Sequence, residues 1–341
     1  MTTTPVIQTR GLTKTFRAGR RTVEAVRGLD LSIAQGELVA LLGPNGAGKS
    51  TTLRMLTTLL PPTSGTAHVA GHDVVAEQYA VRRAIGYVGQ GNGAGHQQHG
   101  RDELVSQARA HGLSRADARR RAEELIADLD LGAVADRKAL SLSGGQRRRL
   151  DIALGLVHTP RVLFLDEPST GLDPQNRANL QDLVRRLHRD TGSTVVLTTH
   201  YLEEADALAE RVVVVDHGQV IADDTASALK SGLGDLVVLG LADGDAAARA
   251  AVRAERLRGH DGQRPVVTVT GDEVAVRVAH GRESAPGLVA ELAAAGDVVR
   301  RLEVVGPTLD DVFLDLTGRS LRENQSTPTG TRTTTSEEIA A

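Results

Sequence analysis

The sequence has no cysteine and no tryptophan among its 341 residues, and its aromatic side chains are three tyrosines and three phenylalanines. The absence of cysteine excludes disulfide bonds and thiolate metal sites, and it is consistent with a reducing compartment. The net charge of −3 is small, so no broad basic surface indicates nucleic-acid binding. The 40% of hydrophobic residues is enough for a packed core.

Long apolar runs are also missing. No stretch approaches the ~18 uninterrupted apolar residues of a membrane-spanning helix. Candidates such as residues 211–221 have the length of a strand and are interrupted by Asp216 and His217. The first residues, MTTTPVIQTR, lack the charged and then apolar pattern of a signal peptide. We therefore expect a soluble, cytoplasmic chain whose membrane role, if it has one, is exercised through a partner.

Lysine is scarce as well, because only four of the 40 lysine and arginine residues are lysines. One of the four, Lys49, lies in GPNGAGKS (43–50), which matches the phosphate-loop pattern G-x-x-x-x-G-K-[ST]. The apolar run LVALL (38–42) before it predicts a buried parallel strand, and a helix is predicted after it over residues 48–60. This strand, loop and helix together indicate a nucleotide-binding site.

Each part of such a loop has a chemical task. Glycines let backbone N–H groups turn toward phosphate oxygens, and the helix N-terminus adds a partial positive charge. Lys49 reaches the β- and γ-phosphates, and the Ser50 hydroxyl is a Mg²⁺ ligand. The predicted nucleotide-binding residues are Gly43, Pro44, Asn45, Gly46, Ala47, Gly48, Lys49, Ser50 and Thr51.

Two acidic residues, Asp166 and Glu167, end a second apolar strand, VLFL (162–165). Beside a phosphate loop, Asp166 is placed to hold Mg²⁺ through water, and Glu167 is placed to orient and polarise an attacking water. Asp-Glu-Pro is also an ordinary strand-to-turn sequence, so this assignment depends on the loop. At this point kinases, GTPases and many ATPases all remain open.

Apolar strands alternate with helical segments up to about residue 223, which predicts an α/β fold with a parallel sheet. We expect this first domain to span residues 1–223, with short strands and turns at its start. The later predicted elements of this domain are helices within 101–130 and 146–157 and strands at 194–199 and 212–215.

The order of elements changes after residue 223. Strand, helix, strand, strand, helix and strand follow one another, which predicts a small α+β accessory module of ferredoxin-like type over residues 224–318. The last helix of this region is expected to begin at Thr308, with Asp311 as its capping partner. Residues 319–341 are polar and rich in threonine, and we expect a disordered tail.

The stretch LSGGQ (142–146), followed by RRRLDIALGL, resembles the signature motif of the ATP-binding cassette (ABC) family. The resemblance implies a P-loop NTPase sheet with a helical subdomain at about 91–157. It also implies that Ser143, Gly144, Gly145 and Gln146 bind nucleotide in trans, because the signature of one subunit closes on the ATP in the phosphate loop of the other. One phosphate loop and one signature in a chain then imply a homodimer.

Other positions match the family's pattern in order. The resemblance implies that Phe16 stacks on adenine, although a packed strand aromatic is the alternative, and that Asp173, in STGLD (169–173), lies in the loop that couples the two sites. His200 matches the switch histidine, and Gln90 the glutamine that contacts Mg²⁺ and the attacking water. The implied catalytic residues are therefore Glu167, His200 and Gln90, and the implied Mg²⁺ ligands are Ser50, Gln90 and Asp166.

Four stretches are most similar to the daunorubicin-resistance type of ABC subunit: GTAHVAGHDV (65–74), VRRAIGYVGQ (81–90), SGGQRRRLDIA (143–153) and PTLDDVFLDLTG (307–318). This likeness implies an ATPase motor for drug export that acts with a separate polytopic membrane permease. The chain would then lie on the inner face of the cell membrane and bind no nucleic acid. The alternatives are an ATPase subunit of a lipid or polysaccharide exporter and a non-transport ABC ATPase.

One segment departs from the family pattern, and two groups of arginines need a separate interpretation. The segment GNGAGHQQH (91–99) is glycine- and histidine-rich, and it is interpreted as a flexible polar loop facing the membrane partner. A metal pair of His96 and His99 is the weaker alternative, because no third ligand is evident. The arginine groups 119–121 and 147–149 are interpreted as solvated helix faces, because acidic residues are interspersed with them.

Overall fold

The computed structural model describes residues 5–19, 21–91, 93–95, 97–257 and 264–318. Its strands, in chain order, are β1 (Ile7–Ala18), β2 (Arg21–Ile33), β3 (Leu38–Leu42), β4 (Ser64–Val69), β5 (His72–Asp73), β6 (Ile85–Val88), β7 (Val162–Asp166), β8 (Thr194–Thr199), β9 (Arg211–Asp216), β10 (Gln219–Asp224), β11 (Asp235–Gly240), β12 (Val266–Thr270), β13 (Glu273–Val278) and β14 (Arg301–Val305). Its α-helices are α1 (Lys49–Leu56), α2 (Gln78–Ala84), α3 (Gly100–Ala110), α4 (Arg115–Asp128), α5 (Gly144–Leu156), α6 (Pro174–Thr191), α7 (Leu202–Leu208), α8 (Ala226–Ser231), α9 (Gly244–Ala254), α10 (Gly281–Ala294) and α11 (Leu309–Thr317).

The continuous apolar runs form the centre of a six-stranded sheet with the order β10-β9-β3-β8-β7-β6. Strands β9, β3, β8, β7 and β6 are parallel, and β10 closes the edge antiparallel to β9. Every residue of β3, β7 and β8 is buried, because both faces of the sheet are covered. The carboxyl ends of these parallel strands therefore meet at one edge, where open α/β sheets bind their ligands.

A second sheet, β2-β1-β4-β5, is antiparallel and covers one face of the first. The expectation of short strands at the start of the chain is wrong, because β1 and β2 have 12 and 13 residues. Register shifts after Thr9, Leu12 and Lys14 allow such long strands to bend around the core. Leu53, Met55 and other apolar residues of α1 belong to the apolar cluster that joins the two sheets.

Helices α3, α4 and α5 lie on the opposite face of the parallel sheet, in the region where helices are predicted. Their buried side chains form one apolar cluster with that face of the sheet. Small side chains such as Ala108, Ala118 and Ala122 are fully buried there, so the helix backbones can approach closely. The predicted helix over 101–130 is two helices, because Gly112 adopts a left-handed φ of 93° and Ser114 caps α4 by accepting a hydrogen bond from the Asp117 amide.

A third sheet, β12-β13-β11-β14, is antiparallel and packs against α9 and α10 in a core of its own. The last helix, α11, behaves differently. Its Leu309, Val312 and Phe313 belong to the apolar cluster of the parallel sheet and the helical region rather than to the third core. Thr308 and Asp311 form the capping box at its start, as the sequence predicts. The domain boundary at residue 223 stays a prediction. Helix α11 follows this boundary in the sequence but packs in the core of the first domain.

In the part of the chain that the structure describes, no helix is both long and apolar enough to cross a lipid bilayer. The expected disorder of residues 319–341 lies outside the described residues.

Candidate functional site

The phosphate loop connects β3 to α1 at the carboxyl edge of the parallel sheet. Lys49 is buried, and its ammonium Nζ donates hydrogen bonds to the carbonyls of Gly43 and Pro44 at 2.8 and 3.0 Å. Burial lowers the pKa of Lys49, while the carboxylates of Glu167 and Asp166 oppose this shift. The lysine is therefore folded back over its own loop, with its charge directed toward the strand ends.

Glycine is required at position 48 of this loop for two separate reasons. Its φ of 102° lies in the left-handed region, and a Cβ would collide with the carbonyl oxygen of Ala25. Ala47 accepts a hydrogen bond of 2.9 Å from the Gly218 amide in the β9–β10 turn, so the loop is held from outside as well.

Ser50 and Asp166 meet at the centre of the site. The Ser50 hydroxyl donates to Asp166 Oδ1 at 2.7 Å, and the Gln90 amide Nε2 donates to Ser50 Oγ at 3.1 Å. Asp166 is fully buried, and it also accepts a hydrogen bond from Thr198 at 2.7 Å and one from Tyr87 at 3.4 Å. The three predicted Mg²⁺ ligands are thus brought together. Thr198 and Tyr87 were missed, although the polar end of the apolar strand TVVLTT pointed to Thr198.

The carboxylate of Glu167 lies between two basic side chains. Its Oε1 is 3.7 Å from Lys49 Nζ and 3.4 Å from His200 Nδ1, and Thr170 donates to its Oε2 at 3.3 Å. The nearby imidazole of His200 lowers the pKa of Glu167 most, with Lys49 and Thr170 adding to the effect against the opposing effect of burial. Glu167 is therefore ionised at neutral pH, as a general base must be.

The backbone of Glu167 is strained. Its φ of 46° lies in the left-handed region, which costs a residue with a side chain of order 1–3 kcal/mol. Its amide donates to the carbonyl and the hydroxyl of Thr198 on the neighbouring strand, at 3.2 and 2.9 Å. This turn aims the carboxylate back toward the phosphate loop.

A cavity of about 650 Å³ opens in front of these groups. Asn45, Gly46, Ala47, Gly48, Lys49, Ser50, Thr51, Gln90 and Glu167 line it, together with Val23, Glu24, Ala25, Arg27 and His217. Sequence reasoning missed this second set. His217 is brought to the cavity by the same β9–β10 turn that holds Ala47.

The signature residues and Asp173 lie at two helix starts instead of in this cavity. Ser143 caps α5 and forms a capping box with Gln146, and a Cβ at Gly145 would collide with Asn176. Asp173 caps α6 by accepting the Asn176 amide at 2.9 Å. Within the described residues, this pair of helix N-termini stands apart from the chain's own phosphate loop.

Phe16 is 40% exposed on β1 and also does not line the cavity. The Lys14 ammonium lies 5.4 Å from its ring centroid. An exposed ring with a cation at one face leaves its other face available to a planar ligand.

The interpretation of residues 147–149 as a solvated face is wrong for two of the three arginines. Arg147 and Arg148 are 8% and 7% exposed, and only Arg149 reaches the surface. Arg147 donates to the Ala94 carbonyl at 3.0 Å, and Asp151 accepts hydrogen bonds from the amides of Gly93 and Ala94 at 3.0 and 2.9 Å. The start of the glycine-rich segment is therefore anchored to α5, which the prediction of a flexible loop did not include.

His96, one member of the alternative metal pair, lies outside the described residues. Among the residues that are described, no group of three or more histidine or acidic side chains is arranged to hold a metal. The cluster of Ser50, Gln90 and Asp166 contains a single carboxylate and would leave most of a metal's coordination positions to other ligands.

Comparisons with known proteins identify relatives along most of the chain. The family model described as ABC transporter matches residues 26–170. The daunorubicin/doxorubicin resistance ATP-binding protein of Streptomyces peucetius is 48% identical over 319 residues, covering 92% of this chain and 93% of that protein. A daunorubicin resistance ATP-binding protein of Streptomyces coeruleorubidus is 45% identical over 306 residues, covering 89% and 94%.

Among solved structures, an ATP-binding cassette in a dimeric, post-hydrolysis state with ADP and Pi is 28% identical, with a TM-score of 0.59. The alignment covers 64% of this chain and 98% of that one. The phosphate loop, the carboxylates of Asp166 and Glu167 at the end of β7 and the similarity along most of the chain lead to one conclusion. The chain belongs to the ABC transporter family, as an ATP-binding ATPase subunit.

Proposed function

We propose that this chain is the motor subunit of a drug exporter, and that it hydrolyses ATP at a site built around Glu167. The observation that supports this most directly is the position of the Glu167 carboxylate, which lies between Lys49 and His200 at the mouth of the phosphate loop. A base held ionised beside the γ-phosphate position can accept a proton from an attacking water.

Lys49 and the loop amides bind and orient the phosphates, and His200 keeps Glu167 in its ionised form. Ser50, Gln90 and Asp166 offer the hard oxygen donors that suit Mg²⁺, whose other positions are filled by water and phosphate oxygens. When bound, Mg²⁺ neutralises phosphate charge. The existing hydrogen bonds among these three side chains already hold them within reach of one another.

The positions of Ser143 and Asp173 support a homodimer. Both residues start helices that stand apart from the chain's own cavity, so a ligand for the α5 N-terminus has to come from another subunit. In this arrangement each ATP lies between the phosphate loop of one protomer and the signature of its partner. The exposed face of Phe16 would stack on the adenine.

The transport part of the proposal rests on relatives that are named for daunorubicin resistance. The chain would bind the inner face of the membrane through a separate polytopic permease. Gly93 and Ala94, which are bound to Asp151 of α5, shortly precede α3 at the start of the helical region. The module over 224–318 would serve dimer contact or regulation. A truncation at about residue 225 would not isolate this role, because it also removes Phe313 from the apolar cluster of the parallel sheet and the helical region.

The direct test is to look for a gene for a polytopic membrane protein beside that of this chain, and to reconstitute the two proteins in vesicles. We expect co-purification of the two proteins and ATP-dependent movement of daunorubicin, which Lys49→Ala abolishes. Robust ATP hydrolysis without co-purification or daunorubicin movement would refute the export assignment, while leaving the ATPase assignment in place.

A further inference from the structure

Arg148 occupies an unusual position for a charged side chain. It lies in the second turn of α5 and is 7% exposed, yet among the described residues it forms no ion pair. Its guanidinium instead donates to three backbone carbonyls: Nη1 to Gly89 at 2.7 Å, Nε to Pro168 at 2.8 Å and Nη2 to Asp166 at 3.2 Å. A buried cation bonded only to backbone oxygens fixes the backbone that carries them.

These carbonyls flank the catalytic candidates. Gly89 directly precedes Gln90, while Asp166 and Pro168 stand on either side of Glu167. The Arg148 side chain therefore binds the backbone on both sides of Glu167. It also binds the residue before Gln90, at the start of the segment after β6, which we call the glutamine loop. These hydrogen bonds stabilise the left-handed backbone of Glu167, because such a conformation persists only where surrounding contacts determine it.

Nearby carboxylates favour the charged form of this buried guanidinium. Burial lowers the pKa of Arg148, and the carboxylates of Asp151 and Asp166 oppose the shift most strongly. Asp151 lies on the same helix and accepts hydrogen bonds from the amides of Gly93 and Ala94. The chain is therefore bound to α5 after Gln90 as well as before it. Helix α5 therefore holds the glutamine loop at Gly89 and at Gly93.

We propose that Arg148 is a positioning residue that fixes Glu167 and Gln90 with respect to the signature helix α5. The inference rests on the proposed function, in which the start of α5 contacts the nucleotide of the partner subunit. Through Arg148, a movement of α5 on that nucleotide is transmitted to the base of the chain's own site. The hydrolysis of ATP in one subunit then depends on whether its helix α5 contacts the nucleotide bound by the partner subunit.

Lysine cannot replace arginine here, because a single compact ammonium cannot reach three carbonyls that surround a planar fork. Arg148→Lys keeps the charge and therefore isolates the geometry. The matched control is Arg149→Lys on the same helix, since Arg149 is partly exposed and lies 3.5 Å from the exposed Asp130. Neither substitution touches the phosphate loop.

The test measures kcat, the affinity for a fluorescent ATP analogue and the melting temperature of purified full-length protein. For Arg148→Lys we expect a kcat at least about tenfold lower, with analogue affinity within about twofold of wild type, whereas Arg149→Lys should match wild type in both. In Arg148→Ala, added methylguanidinium should restore part of the lost kcat. Restoration of kcat with no change in melting temperature separates positioning from a loss of folding, because a ligand that merely restores folding also raises the melting temperature.

Wild-type kcat in Arg148→Lys would overturn the proposal. So would a parallel loss of kcat, analogue affinity and melting temperature that methylguanidinium does not reverse in Arg148→Ala. The proposed function fails on different results: its hydrolysis part is refuted if Glu167→Gln hydrolyses ATP at the wild-type rate, and its export part is refuted if the reconstituted system moves no daunorubicin.

Discussion

Ser50 and Asp166 are 116 positions apart in the sequence, yet the hydroxyl of the first donates a 2.7 Å hydrogen bond to the carboxylate of the second. The bond exists because β3 and β7 run parallel on either side of β8, so the loop after β3 and the end of β7 face the same edge. The order of strands in the sheet therefore places a hydroxyl and a carboxylate where both could bind the same cation.

Asp166→Asn tests whether this pair acts on a cation. The amide keeps the shape of the side chain and can still accept from Thr198, but it removes the negative charge that attracts Mg²⁺. We expect half-maximal turnover to need at least about tenfold more Mg²⁺, a change of 1.4 kcal/mol in binding. A Mg²⁺ titration of ATP hydrolysis that coincides with that of the wild type would contradict the assignment.

Gly48→Ala should abolish nucleotide binding. The new methyl collides with the Ala25 carbonyl, and the left-handed φ adds strain, so the loop has to move. Gly112→Ala is the matched control, because Gly112 has a similar φ of 93° but open space around a Cβ. The control should lose about 1–2 kcal/mol of stability and keep its ATP affinity, measured by titration calorimetry. Equal affinity in both variants would show that the collision is harmless.

The pH dependence of turnover should depend on His200. In the wild type the pKa of Glu167 is lowered, first by the imidazole of His200 at 3.4 Å, so the base stays ionised until the pH falls through that lowered value. Removal of the imidazole in His200→Ala lets the pKa rise toward the ordinary value of about 4.3 or, through burial, above it. The acid limb of the normalised pH–rate profile should therefore move to higher pH. An unmoved limb would mean that Glu167 and His200 do not interact during turnover.

Helix α11 is expected to stabilise the first domain although it follows the C-terminal sheet. Phe313 is fully buried in the cluster shared by the parallel sheet and the helical region. Phe313→Ala should lower the free energy of unfolding by about 3–5 kcal/mol, measured by urea denaturation. Leu314→Ala, at a residue that is 45% exposed, should cost within about 0.5 kcal/mol. Equal effects of the two substitutions would place α11 outside that core.

The parallel sheet and the phosphate loop were predictable because the evidence for them is local. The apolar runs LVALL and VLFL have the length of strands and are hydrophobic enough to indicate buried strands. The phosphate loop follows the first run and Asp166 follows the second, so each run leads to a functional group at the ligand edge. The capping box of Thr308 and Asp311 is equally local. Residues close in sequence determine all of these features.

The features that were missed depend on contacts between distant segments. Three consecutive arginines suggest a solvated helix face, since charged residues are rarely buried without a partner. The partners of Arg148 are backbone carbonyls, which exist at every position and leave no trace in the sequence. The contact of His217 with the cavity similarly depends on where the β9–β10 turn meets the phosphate loop.

The most direct measurement of the central claim is the rate of ATP hydrolysis by Glu167→Gln beside its ATP affinity. The amide keeps the side chain's size but cannot accept a proton, so kcat should fall by about 10²–10⁴-fold, while ATP affinity stays near the wild-type value. With hydrolysis blocked, the ATP-bound variant should sediment as a dimer. Turnover at the wild-type rate would contradict the account, because Glu167 would then not be the base.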